Sequence, residues 1–136
     1  MPDVLELEIV TPERLVVHDT AVEVQIPGLN GYLGVLPGHA PLITELGVGE
    51  ISYRSAGTTT RLAVAWGFAE VLPYKVTILA ETSERAQDID VARAQEAKQR
   101  AEEILRSNRP DINYEEVQGA LRRAETRIEV AEKAGK

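Results

Sequence analysis

Over residues 1–83 apolar and polar positions alternate with a period of two. Leu5, Leu7 and Ile9 alternate with Glu6 and Glu8; Val22, Val24 and Ile26 alternate with Glu23 and Gln25; Val76, Ile78 and Ala80 alternate with Thr77 and Leu79. Successive side chains of an extended chain point to opposite faces, so each run predicts a half-buried strand. Turn formers stand between the runs: Thr11-Pro12-Glu13, Pro27-Gly28-Leu29-Asn30-Gly31, Pro37-Gly38, Gly47-Val48-Gly49, Ser55-Ala56-Gly57 and Leu72-Pro73-Tyr74. Short strands at this spacing predict a two-sheet β-sandwich rather than alternating β/α units.

Beyond Thr82 the period becomes helical. Tyr114, Val117, Leu121, Ala124, Ile128 and Ala131 step by three and four, which predicts a helix with one apolar seam. Asn113 with Glu116 is a capping pair at its start. An earlier helix is predicted from about Asp90 to Arg106, with Ala94, Ala97, Ala101, Ile104 and Leu105 on one stripe. Ser107-Asn108-Arg109-Pro110-Asp111 breaks it, and so short a break predicts an antiparallel hairpin over 84–136. The whole is an α+β chain.

The seam is mostly alanine. Alanine admits close helix approach but buries half or less of what leucine would, at ~25 cal/mol per Å². The hairpin is therefore marginal by itself. Two readings stay open: a helical pair that switches position, or a plain appendage that never moves.

Charge sharpens the division. The chain carries a net charge of −7. Residues 1–83 hold 4 Lys+Arg against 10 Asp+Glu, and residues 84–136 hold 11 against 12. An acidic body and an aromatic content of 4% argue against nucleic acid as a partner. Acids and bases alternate in the second half as on solvated helix faces. No apolar run approaches the ~18 residues of a membrane span, and no secretory signal pattern opens the chain, so a cytosolic protein is expected.

Catalytic chemistry is not visible. With no cysteine, disulfides, zinc-thiolate sites and thiol nucleophiles are excluded. There is no G-x-x-x-x-G-K-[ST] loop, and no serine stands in a G-x-S-x-G context. His18 and His39 have no Cys, Asp or His at metal spacing, so no metal is expected. His39, between Gly38 and Ala40-Pro41, is expected to serve backbone groups in a tight loop. The chain reads as non-catalytic.

Two stretches carry a family resemblance. Gly31-Tyr32-Leu33-Gly34-Val35-Leu36-Pro37-Gly38-His39-Ala40-Pro41-Leu42 is similar to a G-x-L-G-x-x-P-x-H-A-P-L loop, and Ile89-Asp90-Val91-Ala92-Arg93-Ala94 matches an I/L-D-x-x-R-A motif. Gly67-Phe68-Ala69-Glu70-Val71 and Val76-Thr77-Ile78-Leu79-Ala80 support them. In this order and spacing the chain resembles the epsilon subunit of bacterial and chloroplast F-type ATP synthases, from about Leu5 to Ala131. The resemblance implies a ten-stranded N-terminal sandwich, a C-terminal hairpin, and a rotor subunit on the cytoplasmic face of the membrane, attached only through its complex. It implies contact with the gamma subunit and the ring of c subunits through Gly28, Leu29, Asn30, Gly31, Tyr32, Leu33 and His39. The hairpin would permit turnover when folded on the sandwich. Extended toward the catalytic alpha and beta subunits, it would block ATP hydrolysis.

Some members of the family bind a regulatory ATP on the folded hairpin; no other cofactor is implied. The matching positions are Glu84, Ile89, Asp90, Arg93, Ala94, Arg100, Arg123 and Arg127. With the break centred near Arg109, antiparallel folding sets Arg93 opposite Arg127 and Arg123 near Arg100. Four guanidiniums would then converge, which favours an anion between them. The plainer reading is that Glu96 and Glu125 neutralise them as surface pairs, each worth ~0–1 kcal/mol. An unrelated β-sandwich adaptor that dimerises through its helices is the alternative for the whole chain.

Overall fold

The computed structural model describes residues 3–135. Seven strands come first: β1 (Leu5–Val10), β2 (Leu15–Ala21), β3 (Glu23–Gly28), β4 (Gly31–Val35), β5 (Leu42–Ser55), β6 (Thr58–Leu72) and β7 (Lys75–Arg85). A 3-10 turn (Ala86–Asp88) leads into α1 (Val91–Arg106) and α2 (Tyr114–Lys133). The strands hydrogen-bond in the order β2-β1-β7-β6-β5-β3-β4. All neighbours are antiparallel except β1 and β7, which run parallel.

This one sheet closes on itself. Strands β2 and β5 are four places apart in its order, yet the Tyr53 hydroxyl on β5 donates to Asp19 Oδ2 on β2 at 3.2 Å. Arg85 Nη2 on β7 likewise donates to the Val16 carbonyl of β2 at 3.1 Å. Every strand contributes to a single core, from Leu5, Leu7 and Ile9 on β1 to Val76, Ile78 and Ala80 on β7. The predicted alternation of these strands is thus met, and the sandwich stands.

Its strand count is seven, not ten. Gly47-Val48-Gly49, read from sequence as a turn, is a bend inside the 14-residue β5. The buried side changes across it: Leu46 faces the core before the bend, and Ile51 and Tyr53 after it. β6 does the same, with Leu62 and Val64 inward on one side and Ala69 and Val71 on the other. The switch falls at Trp66 (φ 52°) and Gly67 (φ 123°), without loss of register against β5 or β7. A positive φ reverses which face the next side chain meets, so the long strands pass from one layer to the other instead of ending. Strand β7 also continues to Arg85, past residue 83, and pairs there with Leu62.

The helices follow the predicted pattern. The Asp90 carboxylate accepts from the Arg93 N–H at 3.1 Å and caps α1, and Asn113 Oδ1 accepts from the Glu116 N–H at 3.2 Å and caps α2. Helices α1 and α2 pack on each other, and the seam alanines Ala94, Ala101 and Ala124 are buried. A second cluster (Ala63, Ala86, Ile89, Val130 and Ala131) joins the end of α2 to the sandwich. No described helix is long and apolar enough to cross a membrane.

Candidate functional site

Helix α2 has two working faces. The seam toward α1 was legible, but a second stripe runs two positions on: Gly119, Arg123, Thr126, Val130 and Lys133, again stepping by four and three. These residues meet the sandwich. The Arg123 guanidinium carbon lies 5.1 Å from the centroid of the Trp66 ring, within cation–π range. A Cβ placed on Gly119 would come within 3.2 Å of Trp66 Cη2. Glycine inside a helix costs about 0.5–1 kcal/mol relative to alanine, and the close approach of the indole accounts for it. Farther along, Val130 is buried and Lys133 Nζ lies 3.4 Å from Glu50 Oε2, a carboxylate already held by Arg61 at 3.1 Å.

Between α2 and the sandwich opens a cleft of about 490 Å³. Ala63, Val64 and Ala65 of β6 form one wall, and Glu81 to Glu84 of β7 another. Arg14 and Glu13 enter from the β1–β2 turn, Asp88 from the 3-10 turn, and Arg123, Thr126 and Arg127 from α2. The volume lies in the ordinary range for small-ligand sites. Three guanidiniums face four carboxylates across it. One of them is already paired, Arg127 Nε to Glu84 Oε1 at 3.4 Å. The Ser83 hydroxyl is buried without a partner among the described residues, so a polar group remains to be satisfied at this wall.

Of the proposed nucleotide residues, Glu84, Arg123 and Arg127 therefore share one cleft. Arg93 and Arg100 do not line it; both are exposed on α1. Of the four guanidiniums expected to converge, the cleft takes two, Arg123 and Arg127, both from α2. Ile89 is 2% exposed and belongs to the cluster under α2, Asp90 is the α1 cap, and Ala94 is buried in the seam. Arg14, Glu13, Ser83 and Trp66 were missed. Only Trp66 left a trace, as the chain's single tryptophan followed by glycine within a strand pattern.

A second surface is built around the β3–β4 turn. Gly28, Leu29, Asn30 and Gly31 form the β3–β4 turn, and Tyr32 and Leu33 open β4. Leu29 is 57% and Tyr32 62% exposed, although the Tyr32 hydroxyl accepts from the Glu50 N–H at 3.0 Å. His39 lies in the β4–β5 connection, where its Nδ1 donates to the Ala40 carbonyl at 2.7 Å, the backbone role expected of it. The sheet also assembles an apolar face that the sequence reading did not. Phe68 stands opposite Leu79 on β7, and Ile43 is its diagonal neighbour on β5. All three are more than half exposed, a contiguous apolar face of the kind that marks a protein contact. His18, read as isolated, comes within 4.8 Å of Glu6 and Glu8 because β1 and β2 pair there; Lys75 Nζ sits between those carboxylates at 3.1 and 3.2 Å.

Known proteins share both halves of this arrangement. A family model described as "ATP synthase, Delta/Epsilon chain, beta-sandwich domain" matches residues 4–86, and its companion, "ATP synthase, Delta/Epsilon chain, long alpha-helix domain", matches residues 87–132. The chain belongs to the ATP synthase epsilon-chain family. The ATP synthase epsilon chain of Koribacter versatilis (strain Ellin345) is 68% identical over 111 residues, covering 82% of this chain and 78% of that one. The epsilon chain of Solibacter usitatus (strain Ellin6076) is 44% identical over 133 residues, 98% and 99% of the two chains. A chain in the cryo-EM structure of the Euglena gracilis mitochondrial ATP synthase shares the fold at a TM-score of 0.82 and 20% identity, covering 98% of this chain and 82% of that one. The family division at 86/87 falls within the 3-10 turn, where the sandwich gives way to the hairpin.

Proposed function

We propose that this epsilon-family chain is a non-catalytic rotor subunit of the central stalk, seated between the gamma subunit and the c-ring and regulating ATP hydrolysis through its hairpin. The observation that carries this reading is the manner of docking. The hairpin rests on the sandwich through a five-residue cluster around Ile89 and Val130, one indole and the pairs Arg127–Glu84 and Lys133–Glu50, a contact small enough to be released as a unit. The β3–β4 turn with Leu29 and Tyr32 would meet the c-ring, and the Ile43–Phe68–Leu79 face the gamma subunit. The complex would hold the chain peripherally at the cytoplasmic face of a bacterial membrane. Released, α2 would offer Arg122, Arg123 and Arg127 to acidic surfaces of the catalytic alpha and beta subunits.

A regulatory ATP would enter this cleft on its α2 side. Arg123 and Arg127 suit phosphate oxygens, and the Ala63–Ala65 wall with Glu84 suits the edge of a base. Ile89, Asp90 and Ala94 hold the junction in shape, while Arg93 and Arg100 add positive potential from the flank. The dimerising adaptor is disfavoured because the apolar seam it would use is already covered within one chain.

Reconstitution tests the proposal. The chain is expected to co-purify with gamma, and removal of residues 90–136 is expected to raise ATP hydrolysis by the assembled F1 at low ATP. A chain that ignores gamma and runs as a dimer would sink the rotor assignment; unchanged hydrolysis after truncation would sink regulation by the hairpin.

A further inference from the structure

We propose that Trp66 is a latch that holds the hairpin on the sandwich whether or not a nucleotide is bound, with Gly119 as its seat and Arg123 as its clasp. The inference deepens the regulatory reading above and rests on it for its physiological meaning. Its physical basis is separate. Trp66 is a non-glycine residue at φ 52°, a backbone state that L side chains avoid unless their surroundings impose it. It lies at the corner where β6 passes between layers, so the strained backbone aims the indole out of the sandwich core and toward α2. There the ring finds the one glycine inside α2 and the Arg123 guanidinium. A strained residue, a helix-weakening residue and a cation meet at one point, and each is unfavourable or neutral alone. Their common explanation is the docked state.

The latch sits away from the chain connection. The cluster of Ile89, Val130 and Ala131 lies beside the junction into α1, where covalent continuity limits separation. Trp66 engages α2 three turns nearer its start, so lifting the hairpin requires breaking this contact. Arg123 also lines the cleft. A phosphate there would draw on the same guanidinium, and the clasp and a bound anion would share one cation. Docking is therefore expected without ATP and only reinforced by it.

The full chain is the test object, and its lack of cysteine permits a dye pair on Glu45→Cys and Asp111→Cys. Energy transfer in the wild-type background, with no nucleotide, is expected to report one docked population. Trp66→Ala is expected to lower the docked-to-undocked ratio at least ~tenfold, Arg123→Ala severalfold, and Arg123→Lys less than Arg123→Ala. Gly119→Leu guards against misfolding of the strand corner. It leaves the sandwich untouched and improves helix propensity, so undocking in that variant arises from the lost seat. Unaltered docking in both Trp66→Ala and Gly119→Leu would overturn the latch. Latch-dependent docking that ATP does not alter would uphold the latch while removing nucleotide from the regulatory scheme.

Discussion

Gly67 on β6 approaches Leu79 on β7 so closely that a single added carbon would overlap the Leu79 carbonyl oxygen. Its φ of 123° is unsuited to an L side chain as well. Gly67→Ala is therefore expected to destabilise the sandwich by about 3 kcal/mol or more, read as a lowered urea midpoint. A loss below ~1 kcal/mol would mean that the corner of β6 relaxes freely.

Acid and alkali should act on different groups. Hydrogen bonding to Lys75, and then its charge, holds Glu6 below the ordinary carboxylate value of 4.5; the Gln25 amide, then Arg54, does the same for Glu23. Their contribution is present above pH ~4.5 and lost as pH falls through the lowered folded values. Hydrogen bonds to Glu6 and Glu8 raise Lys75 above 10.5, and burial raises Tyr53 above 10.0. Those contributions are complete below pH ~10 and disappear as pH rises past the raised values. Tyr53→Phe should flatten the alkaline limb in pH-dependent urea melts, and should cost about 0.5–1.5 kcal/mol at neutral pH through the lost bond to Asp19.

Calorimetry with ATP should separate the arginines. Arg123→Ala and Arg127→Ala are expected to weaken binding about tenfold or more, the loss of a charge-assisted contact. Arg93→Ala and Arg100→Ala, exposed on α1, should weaken it only about two- to threefold, through screened potential. Equal affinity in all four variants would remove the cleft as the nucleotide site.

Leu29→Asp places a charge on a side chain already 57% exposed. Stability should change by less than about 0.5 kcal/mol, while ATP-driven proton pumping by the assembled enzyme should fall severalfold with hydrolysis retained. Pumping at wild-type levels would move the c-ring contact elsewhere.

Periodicity made much of this legible because it records burial on one face. Leu5, Leu7 and Ile9 had to face a core, and Asn113 with Glu116 had to begin a helix. The corners were not legible. Gly47 and Gly49 look like turn residues in any local reading, and only the long-range pairing of β5 with β6 reveals that the chain continues through them. The second face of α2 was hidden for a related reason. Gly119, Arg123, Thr126 and Lys133 are not apolar, so their helical spacing carries no hydrophobic signal; Trp66, 53 positions before Gly119, gives them meaning.

The parallel pairing of β1 with β7 bears on how the chain is born. Residues 6–10 pair with residues 75–79, so during synthesis the first strand waits until nearly the whole sandwich has left the ribosome. Until then β1 has only β2 beside it, and an isolated two-stranded hairpin is marginal in water. Leu5, Leu7 and Ile9 stay uncovered for most of translation, a window in which the nascent chain can be bound by chaperones or can aggregate. Contacts this distant in sequence also slow closure itself. The hairpin emerges only after β7 is complete, onto a surface where Trp66 is already in position.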